Sequence, residues 1–268
     1  MSWKRRTGAI AATSALLMLL TACVSSAQPE PPIVATQGAA AAPAQNDTTS
    51  QAAERIEPGT EVASAVFAPR SGVQASGSFT ITVSEDPGTY EIVTHDLTAP
   101  PGSELTFLPY TIDASQPCAD SGFRLSFGDI DSTGSDPHFL PPDLGQGDPT
   151  FFGSAVLTQF SEVDREKNDC AATVIAAAPI AWTLSPRRPD LKVTDTGKTA
   201  GASGVVAVDG SGATVSYTVA RGDTLSNIAD RFGISVDDIF YLNPTRLRGP
   251  QDPTAYTGEV LNLSVADR

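Results

Sequence analysis

Three hydrophobic rhythms follow one another along the chain. Residues 8–20 form an uncharged, mostly apolar run, preceded by the basic cluster Lys4-Arg5-Arg6. Over residues 61–184 apolar and polar positions often alternate. Phe79, Ile81 and Val83 share one face of residues 78–83, and Phe123-Arg124-Leu125-Ser126-Phe127 and Ile180-Ala181-Trp182-Thr183-Leu184 repeat the pattern. A period of two marks half-buried strands, because successive side chains of an extended chain point to opposite faces. Turn-forming clusters separate the runs, namely Asp86-Pro87-Gly88, Pro100-Pro101-Gly102 and Pro141-Pro142. Short strands at this spacing predict an antiparallel all-β middle domain over residues 59–185, a sandwich or a barrel.

In the last fifth of the chain the period changes. Leu225, Ile228, Ala229 and Phe232 fall at i, i+3, i+4 and i+7, which puts them on one face of a helix. Asp223 or Thr224 is available as its N-cap, and Gly233 as its stop. Ser235-Val236-Asp237-Asp238 reads as a capping box opening a second helix, whose apolar face holds Val236, Ile239, Phe240 and Leu242 and which Asn243-Pro244 ends. Tyr217-Thr218-Val219 and Val260-Leu261-Asn262-Leu263 read as flanking strands. The expectation is a multidomain chain in which a small βααβ module of the α+β class, residues 216–268, follows the β domain.

The pieces of that module come in a recognisable order: Tyr217-Thr218-Val219, Gly222-Asp223-Thr224-Leu225, Ile228-Ala229, Gly233-Ile234-Ser235, Leu242-Asn243-Pro244, then Gly258 with Leu261 and Leu263. This resembles the LysM family of carbohydrate-binding modules. The resemblance implies binding of N-acetylglucosamine-containing glycan, peptidoglycan or a chitin-like polymer, in a shallow groove between two loops. One lip would be Gly222, Asp223, Thr224 and Leu225; the other would be Leu242, Asn243, Pro244 and Thr245. An N-acetyl group needs backbone donors and acceptors and a small apolar shelf, which Leu225 and Pro244 suit. The same positions also suit structural work, with Gly222 and Asp223 as turn and cap and Leu225 as core. The loop from Thr245 to Thr257 is longer and richer in proline than the family pattern.

The leading apolar run closes on Leu20-Thr21-Ala22-Cys23, which resembles a bacterial lipobox. That resemblance implies a signal peptide over residues 1–22, a diacylglyceryl group on the Cys23 thiol and cleavage before it. Two acyl chains suffice for stable anchoring, each buried methylene contributing about 0.8 kcal/mol. The expected location is the extracytoplasmic face of the membrane, associated with the wall. Residues 23–58 are rich in Ala, Pro, Gln, Thr and Ser and read as a disordered tether, since they cannot bury enough apolar surface to offset ordering. Residues 186–215 read as a glycine-rich linker, with Val205-Val206-Ala207-Val208 as a possible extra strand.

Charge narrows the partners. With 17 Lys and Arg against 31 Asp and Glu, the net charge is −14, and losing the basic leader makes the chain more acidic still. Such a surface repels nucleic-acid phosphates and anionic headgroups, so a nucleic-acid partner is excluded and membrane attachment needs the lipid. Cys118 and Cys170, in an oxidising compartment, are expected to pair. Chemistry is sparse elsewhere. His95-Asp96 reads as a surface pair rather than a dyad. Residues 129–136 cluster oxygen ligands without the EF-hand glycine and glutamate spacing. Gly197-Lys198-Thr199 lacks the first glycine of a phosphate loop, Lys192 standing in its place. No catalytic residue, metal or cofactor is therefore expected. The rival readings make the β domain a wall-active enzyme targeted by the module, or a receptor-type binding module.

Overall fold

The computed structural model describes residues 56–119, 122–130, 137–170, 172–246 and 252–268. The leader, Cys23, the tether up to Arg55 and most of the oxygen-rich segment 129–136 lie outside the described residues. In chain order the β domain comprises β1 (Glu61–Val66), β2 (Ala68–Pro69), β3 (Ser76–Val83), β4 (Tyr90–Thr98), β5 (Glu104–Leu108), β6 (Leu125–Asp129), β7 (His138–Leu140), β8 (Ser154–Gln159), helix α1 (Glu162–Asn168), β9 (Thr173–Pro179) and β10 (Ala181–Trp182). Short 3-10 turns at Leu144–Gly147 and Pro149–Phe151 join β7 to β8.

These strands form two antiparallel sheets, ordered β10-β1-β3-β4-β7 and β2-β9-β8-β5-β6. The sheets pack face to face: Phe79 of β3 meets Phe107 of β5 with ring centroids 5.4 Å apart, and both side chains are fully buried. Of the two architectures expected, the sandwich is the one adopted. One ribbon links the sheets at a corner. β1 runs past buried Phe67 into β2, and β9 runs past Ile180 into β10, so the β1/β10 pair belongs to one sheet and the β2/β9 pair to the other. Strands that switch sheets at a bend are a known way of closing a sandwich edge.

The second sheet is covered on both faces. Cys118 and Cys170 are disulfide-bonded, with Cα atoms 5.5 Å apart. A second core of Leu108, Ile112, Ala114, Val156 and Val174 lies beyond the main one, under the stretch that ends at Cys118. β8 is consequently buried from Ser154 to Thr158 with no alternation. Helix α1 was not anticipated from periodicity. It starts at Ser161, whose hydroxyl accepts from the Asp164 amide, carries Glu162 and Asp164 in its first turn, and stops at Asp169, whose φ is 53°.

The module adds β11 (Val205–Val208), β12 (Thr214–Thr218), α2 (Leu225–Phe232), α3 (Val236–Leu242) and β13 (Val260–Asn262), with the three strands in one antiparallel sheet ordered β11-β12-β13. Much of the segment read as a linker is packed against the module. Thr194 and Thr196 donate their amides to the carbonyls of Phe232 and Arg231, each at 3.0 Å, satisfying acceptors that the end of α2 leaves open. Buried Arg231 grips Asp195 through two nitrogens at 2.7 and 2.9 Å and donates to the Ala202 carbonyl at 2.9 Å. A glycine-rich stretch looks flexible in sequence, but a Cβ at Gly204 would lie 2.1 Å from the Thr218 carbonyl oxygen, so glycine there permits close packing.

Candidate glycan-binding site

The first lip begins where β12 ends. Gly222 sits at φ +87° with open space around it, which is turn geometry that disfavours any side chain. The Asp223 side chain is spent on the fold: its carboxylate accepts from the Ser203 and Ala220 amides at 2.9 and 2.8 Å and from the Tyr217 hydroxyl. Burial pushes the Asp223 carboxyl up, but these hydrogen bonds outweigh it and hold the group below the ordinary carboxylate value. Burial and the bond to Asp223 push the Tyr217 hydroxyl up to about 12. Thr224, rather than Asp223, is the N-cap of α2, accepting from the Asn227 amide at 3.2 Å. Its own amide donates to the Gly201 carbonyl at 2.9 Å. Leu225 is core, packed with Ile228, Phe232 and Ile239.

The second lip is built in the same manner. Leu242 is buried at the end of α3. Asn243 fastens that helix end to β13: its amide nitrogen donates to the Ile239 and Asn262 carbonyls at 2.8 and 2.9 Å, and its oxygen accepts from the Asn262 amide at 2.7 Å. Pro244 is half-buried and Thr245 exposed. Arg246 then closes the base of the long loop, pairing with Glu259 at 2.6 Å while lying 5.5 Å from the centre of the Phe240 ring. Of the eight residues expected at the groove, Gly222, Thr224 and Thr245 are exposed, Pro244 and Asn243 half-buried, and Asp223, Leu225 and Leu242 form the frame behind them.

The module is not free to swing. Arg268 packs into the β domain, 3.2 Å from the Asp148 carboxylate, with both side chains no more than 5% exposed. Its guanidinium also donates to the Gly145 and Asp148 carbonyls at 2.9 and 2.7 Å and lies 4.1 Å from the centre of the Tyr241 ring, while the Tyr241 hydroxyl donates to Asp148 at 3.1 Å. Arg188 adds an ion pair to Asp238 of α3. Sequence reasoning found none of Arg231, Arg246, Asp148 or Arg268. Nothing in the residues beside any of them announces that tertiary packing will bury it.

The docking forms a recess of about 170 Å³ that Leu242, Asn243, Pro244 and Thr245 share with Pro109 and Phe151 of the β domain. Gly222, Asp223, Thr224 and Leu225 do not line it. A larger cleft of about 1420 Å³ opens at one end of the first sheet, beside Tyr90, Asp148 and Arg187. Neither histidine nor either disulfide cysteine lines it. His95 is hydrogen-bonded through Nε2 to the Thr80 hydroxyl at 2.9 Å, and His138 packs near Phe127, with ring centroids 5.6 Å apart. Among the described residues no three His, Cys, Asp or Glu side chains are grouped as metal ligands.

No curated protein and no solved structure matches the chain. Residues 217–264, the stretch that carries both lips, the two helices between them and the end of β12 and all of β13 on either side, match the family model of the LysM domain.

Proposed function

We propose that the chain is a lipid-anchored, non-enzymatic envelope protein that holds N-acetylglucosamine-containing glycan through its C-terminal module. The observation that carries this reading is the LysM match over residues 217–264, laid on a βααβ unit whose loop ends are exposed. LysM domains bind peptidoglycan or chitin-like glycans. In this chain the framing residues are already hydrogen-bonded, so the lips meet a sugar without first being ordered, which lowers the cost of binding. Pro244 offers the apolar shelf, Thr245 a hydroxyl, and Gly222 exposed backbone. The basic cluster, apolar run and Leu20-Thr21-Ala22-Cys23 support anchoring through Cys23 on the extracytoplasmic face of the membrane.

The test is retention of the full chain on insoluble chitin and on purified peptidoglycan. The module holds five arginines against seven acids, so retention is expected to persist in moderate salt. Thr245→Trp is expected to weaken retention with an unchanged melting temperature. A folded chain that ignores both glycans, or that moderate salt releases, overturns the reading. Cys23→Ala is expected to move the protein out of the membrane fraction, and membrane association unchanged by that substitution overturns the anchor.

A further inference from the structure

We propose that the glycan site continues beyond the module: Pro109 and its neighbours in the β domain extend the second lip, so one glycan chain is held by both domains. This rests on the glycan reading above and goes further by naming a subsite and a chain-length preference. The observation is the recess between the domains. Pro244 and Thr245, which the module offers to a sugar, share it with Pro109 and Phe151. Its volume of about 170 Å³ is below the roughly 300 Å³ at which pockets begin to enclose a whole ligand. It therefore suits one N-acetyl substituent or one edge of a sugar ring, with the rest of the chain lying in the open.

The lining chemistry agrees. Two prolines, a leucine and a phenylalanine give an apolar floor for a methyl or a C–H face, and Thr245 gives a polar partner at its edge. The Arg268 guanidinium at the recess is occupied by Asp148 and by backbone carbonyls, while exposed Asp267 places a negative charge on the rim. An uncharged N-acetylated sugar fits this better than an anionic one. The recess also holds its shape. Arg268, Tyr241 and Asp148 lock the end of α3 against the 3-10 turns of the β domain, so Pro109 and Pro244 face the same space in a fixed register. A subsite built from two domains is useful only if they do not drift apart.

The experiment is calorimetric titration of the full chain, in detergent, with the dimer and the tetramer of N-acetylglucosamine. The tetramer is expected to bind about tenfold more tightly than the dimer, about 1.4 kcal/mol for one added apolar subsite. Pro109→Trp, which fills the recess from the β side, is expected to remove that gain, so that dimer and tetramer bind alike. On the unmutated chain, hydrogen exchange supplies a reading that needs no variant: the tetramer is expected to protect the Tyr110 amide as well as the module loops. Dimer and tetramer of equal affinity, a gain that survives in folded Pro109→Trp, or protection confined to residues 217–264 overturns the shared subsite and leaves the module reading intact. No binding of either oligomer, with no retention on chitin or peptidoglycan, overturns both.

Discussion

The β domain and the module bury polar groups for different purposes. In the β domain the buried polar side chains are mainly hydroxyls, Thr106, Ser154, Thr158 and Thr173 on strands and Ser103 just before β5, and the fold is held by long-range strand pairing around an aromatic core. In the module, buried Asp223 and Arg231 organise the chain, one fastening the turn before α2 and the other binding the segment that precedes β11. One buried charge of the β domain breaks its pattern. Asp148 points at the module, where Arg268 and Tyr241 meet it. A small unit cannot bury much apolar area, so it gains definition from directional polar bonds; a larger sandwich needs them only where it must hold a neighbour.

That contrast is tested most severely at Asp148. Asp148→Ala leaves Arg268 buried without its counter-charge, and removing one partner of a buried pair costs about 3–5 kcal/mol. The melting of the module is expected to fall and to separate further from that of the β domain. A single transition lowered equally throughout would mean that the joint is not what couples the domains. Acid should act on the same joint. Burial pushes the Asp148 and Asp238 carboxyls up, yet Thr150, Arg268 and Arg187 around the first, and Ser235 and Arg188 around the second, outweigh it, and both end below the ordinary 3.8. A depressed carboxylate stabilises the fold fully above 3.8 and ceases to as pH falls through its folded value. Docking should therefore loosen below about pH 3.8, with Asp195 and Asp223 adding to the effect inside the module. Alkali acts inside the module through Tyr217, whose contribution is lost as pH climbs from 10 towards about 12, and burial likewise raises Tyr90 in the β domain and Tyr241 at the joint.

The disulfide gives the β domain a comparable test. Cys118 and Cys170 are 52 positions apart, and closing a loop of that length is worth about 4 kcal/mol on chain-entropy arithmetic. Replacing both with serine is expected to lower the denaturant midpoint of the β domain and expose the second core around Leu108, Val156 and Val174. An unchanged midpoint would show that strand pairing alone holds that sheet.

What was legible in the sequence divides along the same line. The module's helices were readable because their signals are local: Gly233 at φ 66° stops α2, and Ser235 with Asp238 forms the capping box. In the β domain, Phe79 and Ile81 alternate because β3 has one face in the core and the other less covered. β8 and β9 escaped the period-two test because both of their faces are covered, which replaces alternation by an unbroken buried run. The motif names the residues expected at the groove, but not the structural work that each of them does. Nothing in the string Leu242-Asn243-Pro244 says that Asn243 will spend its side-chain amide on Asn262, a partner distant in sequence.

The smallest expected effect sharpens the comparison most finely. Thr224 caps α2 by accepting from the Asn227 amide, and its backbone, which the substitution leaves in place, donates to Gly201. Thr224→Ala removes only the cap, worth about 1 kcal/mol in typical helices. If the module's order rests on such local bonds, that loss should appear as faster hydrogen exchange over α2, with the exchange of β3 and β5 unchanged. If the joint at Asp148 makes the two domains one cooperative unit, the same loss should instead be shared, raising exchange in the slowest β-domain amides too. The interface of Arg268, Tyr241 and Asp148 is buried but narrow, resting on few side chains beside the large apolar core of the sandwich. Local loss confined to α2 is therefore the expected result, since a helix end can fray without pulling on Arg268.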